Sequence, residues 1–96
     1  MQLLHKLRLK NLVIAYDGLM NGYRQINGER SMLFARKEYN LALRYNWLSR
    51  MSDGLRGIGI IHYGAERYDS ALVYLFQALE IVDRMATGET SLTDNT

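Results

Sequence analysis

Apolar residues recur at steps of three and four from Leu3 to about Ile26, through Leu4, Leu7, Leu12, Val13, Tyr16, Leu19, Met20 and Tyr23. That is the period of one face of an α-helix, and it predicts a single long helix. Asn27-Gly28 ends it, because both residues tolerate the left-handed backbone in which helices stop. Gly18 and Gly22 sit one turn apart inside the helix, and each costs about 1 kcal/mol relative to Ala, so close approach of another helix is the expected compensation. A second helix is expected from near Glu29 or Ser31 to about Ser49. A third should start from a cap at Ser52 or Asp53, whose side-chain oxygens can accept from free amides, and run to about Tyr63, with Gly64 as its stop. The fourth should run from near Glu66 to about Met85, with Glu66 and Asp69 in its first turn against the positive end of the helix dipole. Residues 87–96, TGETSLTDNT, hold one apolar residue, Leu92, and read as a flexible polar tail.

Within this series the stretch Ala35-x3-Tyr39-x2-Ala42-Leu43 is matched 36 residues later by Ala71-x3-Leu75-x2-Ala78-Leu79. Around the second copy, residues 55–79 (LRGIGIIHYGAERYDSALVYLFQAL) read as two helices folded back on each other, with Gly59, Ala71 and Ala78 where packed helices come closest. Ala35, Ala42, Ala71 and Ala78 are all expected to be buried. The spacing resembles the tetratricopeptide repeat, whose common unit is about 34 residues. In that family's pattern a small residue and an aromatic three later stand in the first helix; here these are Gly59 and His62. Tyr68 stands at the aromatic that opens the second helix, and Ala71, Leu75 and Ala78 follow. Tyr23 precedes Ala35 by 12 residues whereas His62 precedes Ala71 by nine, so three extra residues are placed at the first turn, around Asn27 to Ser31. Trp47 and Asp83 stand where the family often has Pro between repeats.

The resemblance covers residues 12–85 and implies an all-α fold. Four helices form two antiparallel helix-turn-helix hairpins, about 3–49 and 52–85, stacked as a short right-handed solenoid within a helical domain of residues 1–86. A plain four-helix bundle is the alternative. The resemblance also implies a concave face lined by the first helix of each hairpin. Carried over by position, that face holds Ile14, Asp17, Asn21 and Arg24 from the first hairpin and Asp53, Arg56, Ile60 and Tyr63 from the second. Chaperone-binding members clamp a carboxylate there with Lys and Asn. Asn21 fits that pattern, but Asp17 stands where the Lys would be.

Composition sharpens this picture without changing it. A chain of 96 residues, 48% hydrophobic and 23% charged, suits one small globular domain that buries roughly two thirds of its unfolded surface. There is no Cys, hence no disulfide and no thiolate nucleophile or ligand. No apolar run approaches the ~20 residues of a spanning helix, and His5, Lys6, Arg8 and Lys10 interrupt any secretory signal. A cytoplasmic setting is expected, with a periplasmic one or a place in a larger protein left open. The net charge of +2 divides unevenly: residues 1–50 hold nine Lys/Arg against three acids, and residues 51–96 three Arg against seven acids. Such a division suits an anionic partner, or head-to-tail or antiparallel self-association, and self-association is preferred.

The same residues exclude most chemistry. His62 and Glu66 are spaced like two metal ligands, but Gly64 breaks the helix between them, and His62 reads as a packed core residue. Ser31, Ser49, Ser52 and Ser70 lack a His and carboxylate at useful spacing, and cap or surface roles account for them. Gly54, Gly57 and Gly59 lack the strand and Lys of a phosphate loop. No catalytic residue, metal ligand or cofactor is assigned. The function expected is protein–protein interaction, through the groove with a helix or extended peptide, or through self-association. The fourth helix is apolar almost all round, so one hairpin partner cannot cover it; Leu72, Tyr74, Phe76, Leu79 and Val82 are the expected contact face of a dimer. Two other classes compete: a helix-turn-helix nucleic-acid-binding domain and a ligand-responsive regulatory module. Against the first, the would-be recognition helix carries Glu66, Asp69, Glu80 and Asp83, which phosphate repels.

Overall fold

A computed structural model describes residues 2–88, and these form four helices with no strand among them. They are α1 (Gln2–Tyr23), α2 (Gly28–Tyr45), α3 (Leu48–Gly64) and α4 (Tyr68–Ala86). The expected tail lies largely outside the described residues. None of the four is long and apolar enough to cross a membrane.

The helix ends follow from side-chain chemistry. Asn27 caps α2 from an extended backbone, its Oδ1 accepting from the Arg30 amide at 3.1 Å. At the other end of α2, Asn46 takes the left-handed conformation (φ 56°). Its amide donates to Leu43 O, and the Trp47 amide donates back to Ala42 O at 2.9 Å. This paired closure satisfies carbonyls that the helix end would otherwise leave free. Glu66 (φ 62°) closes α3 in the same way, with the amides of Glu66 and Arg67 on Tyr63 O and His62 O. Two expected boundaries are thereby corrected. Helix α2 stops at Tyr45 rather than Ser49, and α3 starts at Leu48, so Ser52 and Asp53 lie inside a helix and cap nothing. Gly64 is the last residue of α3, and the turn is made at Glu66, which leaves Asp69 alone in the first turn of α4.

Consecutive helices pack against each other, α1 on α2, α2 on α3 and α3 on α4, with a lesser contact of α1 on α3 and no comparable contact of α1 on α4. The result is an open slab of 41 × 30 × 15 Å rather than a closed ring of helices. Ala35, Ala42, Ala71 and Ala78 are all buried, as expected. Ala42 and Ala78 join Leu48, Met51, Leu55 and Ile81 in one core cluster, while Ala35 joins Met20 and Ile58 in a second. Small residues set the helix separations. A Cβ on Gly59 would stand 2.8 Å from Leu75 Cγ, and one on Gly54 would stand 2.9 Å from the Tyr39 backbone nitrogen. Gly18 and Gly22 are a correction: a Cβ at either meets nothing within 4 Å, so no helix approaches them. Ser31 and Ser52 are corrected as well. Both are buried, Ser31 Oγ donating to Met20 O at 2.7 Å and Ser52 Oγ to Ala78 O at 3.4 Å, so each ties one helix to the backbone of another.

Candidate functional site

The eight residues expected on the concave face form two rows of identical step, Ile14, Asp17, Asn21 and Arg24 on α1 and Asp53, Arg56, Ile60 and Tyr63 on α3. Steps of three and four keep each row on one side of its helix. The helices meet where Met20, fully buried, fills the space that Gly57 leaves by having no side chain. Along α1 the row is bonded to itself, Arg24 Nη2 donating to Asn21 Oδ1 at 2.6 Å and Asn21 Nδ2 to Asp17 Oδ2 at 3.2 Å. Along α3, Asp53 pairs with Arg50 and Arg56, each at 3.5 Å.

The two rows divide into three regions. At the turn end, Arg24, Ile60 and Tyr63 border an open depression of about 1060 Å³ that Met32, Ile61 and Arg67 help to line. Tyr63 is 62% exposed there and meets Tyr68 edge-on at 5.4 Å between ring centres. At the opposite end Ile14 lies in a separate, smaller depression beside Trp47 and Met85. Between them the rows are polar, and Asp17 and Asp53 converge.

They converge over a residue that the sequence reading left unassigned. Glu38 of α2 is 0% exposed, and one carboxylate oxygen from each of Asp17, Glu38 and Asp53 lies within 4.8 Å of the others. Neither oxygen of Glu38 accepts a hydrogen bond, nor does the buried Oδ1 of Asp17. The nearest cation, Arg50 Nη1, stands 3.8 Å from Glu38, beyond hydrogen-bond reach. Burial, then the adjoining Asp17 carboxyl, then the charge of Asp53, push the Glu38 carboxyl up to about 9 against the opposing pull of Arg50. At neutral pH the protein therefore holds Glu38 as a neutral acid, able to donate its proton to Asp17. The signal for this residue was its place: three residues after Ala35 and four before Ala42, Glu38 falls on the buried stripe of α2.

His62 sits half-buried at the seam of α3 and α4, stacked on Tyr74 with ring centres 5.5 Å apart. Its Nδ1 accepts from Arg67 Nε at 2.8 Å, which requires the neutral ring, and burial with the charges of Arg67 and Arg36 holds its pKa below the usual value. On α4, Leu72, Phe76, Leu79 and Val82 are exposed, Phe76 by 64%. Tyr74 is a correction to that face: it lies three residues after Ala71 and four before Ala78, on the buried stripe, and packs against both core clusters.

No protein-family model matches the chain, and no curated protein or solved structure matches it significantly.

Proposed function

We propose that the chain is a protein–protein interaction module, built as two tetratricopeptide-like hairpins stacked in a short right-handed solenoid. Its α1/α3 face receives a helix or an extended peptide. The 36-residue echo of Ala35, Tyr39 and Ala42 in Ala71, Leu75 and Ala78 supports the repeat reading, as does packing that is chiefly between helices consecutive in the chain. The observation that carries the function is Tyr63. An aromatic ring that is largely exposed, beside Ile60 and the Arg24 guanidinium at the rim of an open depression, is the arrangement in which interface energy concentrates. Nothing in this reading requires catalysis.

The test starts from a partner captured with the chain as bait and then measured with purified components. Tyr63→Ala is expected to weaken binding by about 30-fold or more, equivalent to about 2 kcal/mol, and Arg56→Ala by less. Affinity unchanged in both variants, with helix content intact, would show the groove to be the wrong surface. A shift of random duplex DNA at low salt would instead favour the nucleic-acid reading, which the acids Asp69, Glu80 and Asp83 on α4 oppose.

A second reading, self-association, rests on a different observation. Leu72, Phe76, Leu79 and Val82 leave an apolar stripe on α4 that no helix among the described residues covers. A two-fold dimer is the simplest closed solution, and the basic first half and acidic second half favour an antiparallel pair. Light scattering at micromolar concentration should give twice the chain mass, and Phe76→Asp should return the monomer. An 11.1 kDa species for the unaltered chain sinks this reading.

A further inference from the structure

The carboxylates beneath the α1/α3 face pose a problem that the peptide-binding reading does not use. Three acids from three helices converge, and the one at the centre is sealed from solvent with both oxygens lacking a donor. A buried carboxyl group in that state must be satisfied either by a proton or by a cation. Arg50 lies within ion-pair distance, 3.5 Å from Asp53 and 3.8 Å from Glu38, but donates no hydrogen bond to either oxygen of Glu38. Arg56 engages Asp53 from the exposed side.

We infer that Asp17, Glu38 and Asp53 form a binding site for a hard divalent cation of about the size of Ca²⁺, held between α1, α2 and α3. Two oxygens bound to one ion cannot stand further apart than twice the metal–oxygen distance. That limit is roughly 4.6–5.2 Å for Ca²⁺ and roughly 4.0–4.2 Å for Mg²⁺. The three oxygens, all within 4.8 Å of one another, lie inside the Ca²⁺ limit, so that ion fits without any movement of the helices, and the reluctance of Mg²⁺ to shed its waters disfavours the smaller ion. The donor set is all carboxylate, with no nitrogen or sulfur among the three, which selects Ca²⁺-like ions over zinc or copper. Asp17 and Asp53 are only partly buried, so water can complete the coordination shell from the groove side while Glu38 anchors the ion from below. An ion there joins the two rows of the concave face through the floor of α2.

The experiment uses the full chain, freed of metal with a chelator, dialysed, and titrated calorimetrically with CaCl₂ and separately with MgCl₂. One Ca²⁺ per chain is expected, with a dissociation constant of about 1 mM or tighter and at least ~10-fold weaker binding of Mg²⁺. Glu38→Gln and Asp53→Asn should each weaken Ca²⁺ binding at least ~10-fold, since each removes a charged ligand, whereas Asp69→Asn on exposed α4 should leave it unchanged. Circular dichroism establishes that each variant is folded, and the Asp53 variant, altered at a partly exposed position, carries the test should the Glu38 variant misfold. Absence of saturable binding up to about 10 mM Ca²⁺ overturns the proposal, for that is well above the weakest calcium modules. Unaltered binding by a folded Glu38→Gln or Asp53→Asn protein overturns it equally, by placing the ion on the surface acids. Neither outcome depends on whether a peptide binds the groove.

Discussion

Gly54→Ala is expected to lower stability by about 2 kcal/mol, although the same change in an exposed helix interior is favourable by about 1 kcal/mol. The sign is decided by what the new methyl group meets. At Gly54 it would lie 2.9 Å from both the nitrogen and the Cβ of Tyr39 and 3.0 Å from its Cα. These are backbone and near-backbone atoms of α2, so no rotamer change relieves the overlap, and α2 and α3 must separate. The separation loosens the cluster of Ala42, Leu48, Met51 and Leu55 that the close approach creates. A domain of this size should lose roughly 10 °C in its melting midpoint. Gly18→Ala and Gly22→Ala are the internal controls, since both positions are helical and face open space; each should gain about 0.5–1 kcal/mol. Gly57→Ala should fall between, because the obstructing atoms belong to the flexible thioether of Met20. Equal shifts at Gly54 and Gly18 in a thermal melt would contradict the packing of α2 on α3.

The four helices and their close contacts were legible because they depend on period and side-chain size, which a sequence displays directly. Ala35, Ala42, Ala71 and Ala78 keep the spacing of a buried helix face and are buried. The joints were harder. Ser52-Asp53-Gly54 has the composition of a helix start, but tertiary packing uses all three inside α3: Ser52 on the Ala78 carbonyl, Asp53 toward Asp17 and Glu38, and Gly54 against Tyr39. The actual turn falls at Asn46, and its twin at Glu66 is invisible to propensity because Glu seldom adopts the left-handed backbone. Of the expected concave face, Asp17 and Asp53 are brought together, and Arg24, Ile60 and Tyr63 border one depression. Ile14 lies apart, at the other end. Glu38 escaped because Arg36-Lys37-Glu38 looks like a run of solvated charges. Only its register against the alanines separates a buried acid from an exposed one.

That acid gives the molecule a pH dependence of unusual sign. In the metal-free protein Glu38 is raised from its ordinary 4.5 to about 9, so between those values the folded chain holds a proton that the unfolded chain has released. Stability contributed through this group is therefore fully present below about pH 4.5 and declines as pH rises through the neutral range, levelling off only above about pH 9. At pH 7 the decline amounts to roughly 3 kcal/mol. Glu38→Gln removes the dependence without removing the shape. The amide offers Asp17 a permanent N–H donor in place of the shared proton, and it carries no charge to desolvate. In chelator at pH 7.5 the variant should be more stable than the parent chain by roughly 2–3 kcal/mol, and near pH 4.5 the two should converge. Parallel urea titrations across that range read the difference directly. A gap that stays constant with pH would mean that Glu38 is ionised in the folded state and that Arg50, despite its 3.8 Å separation, is its counter-ion.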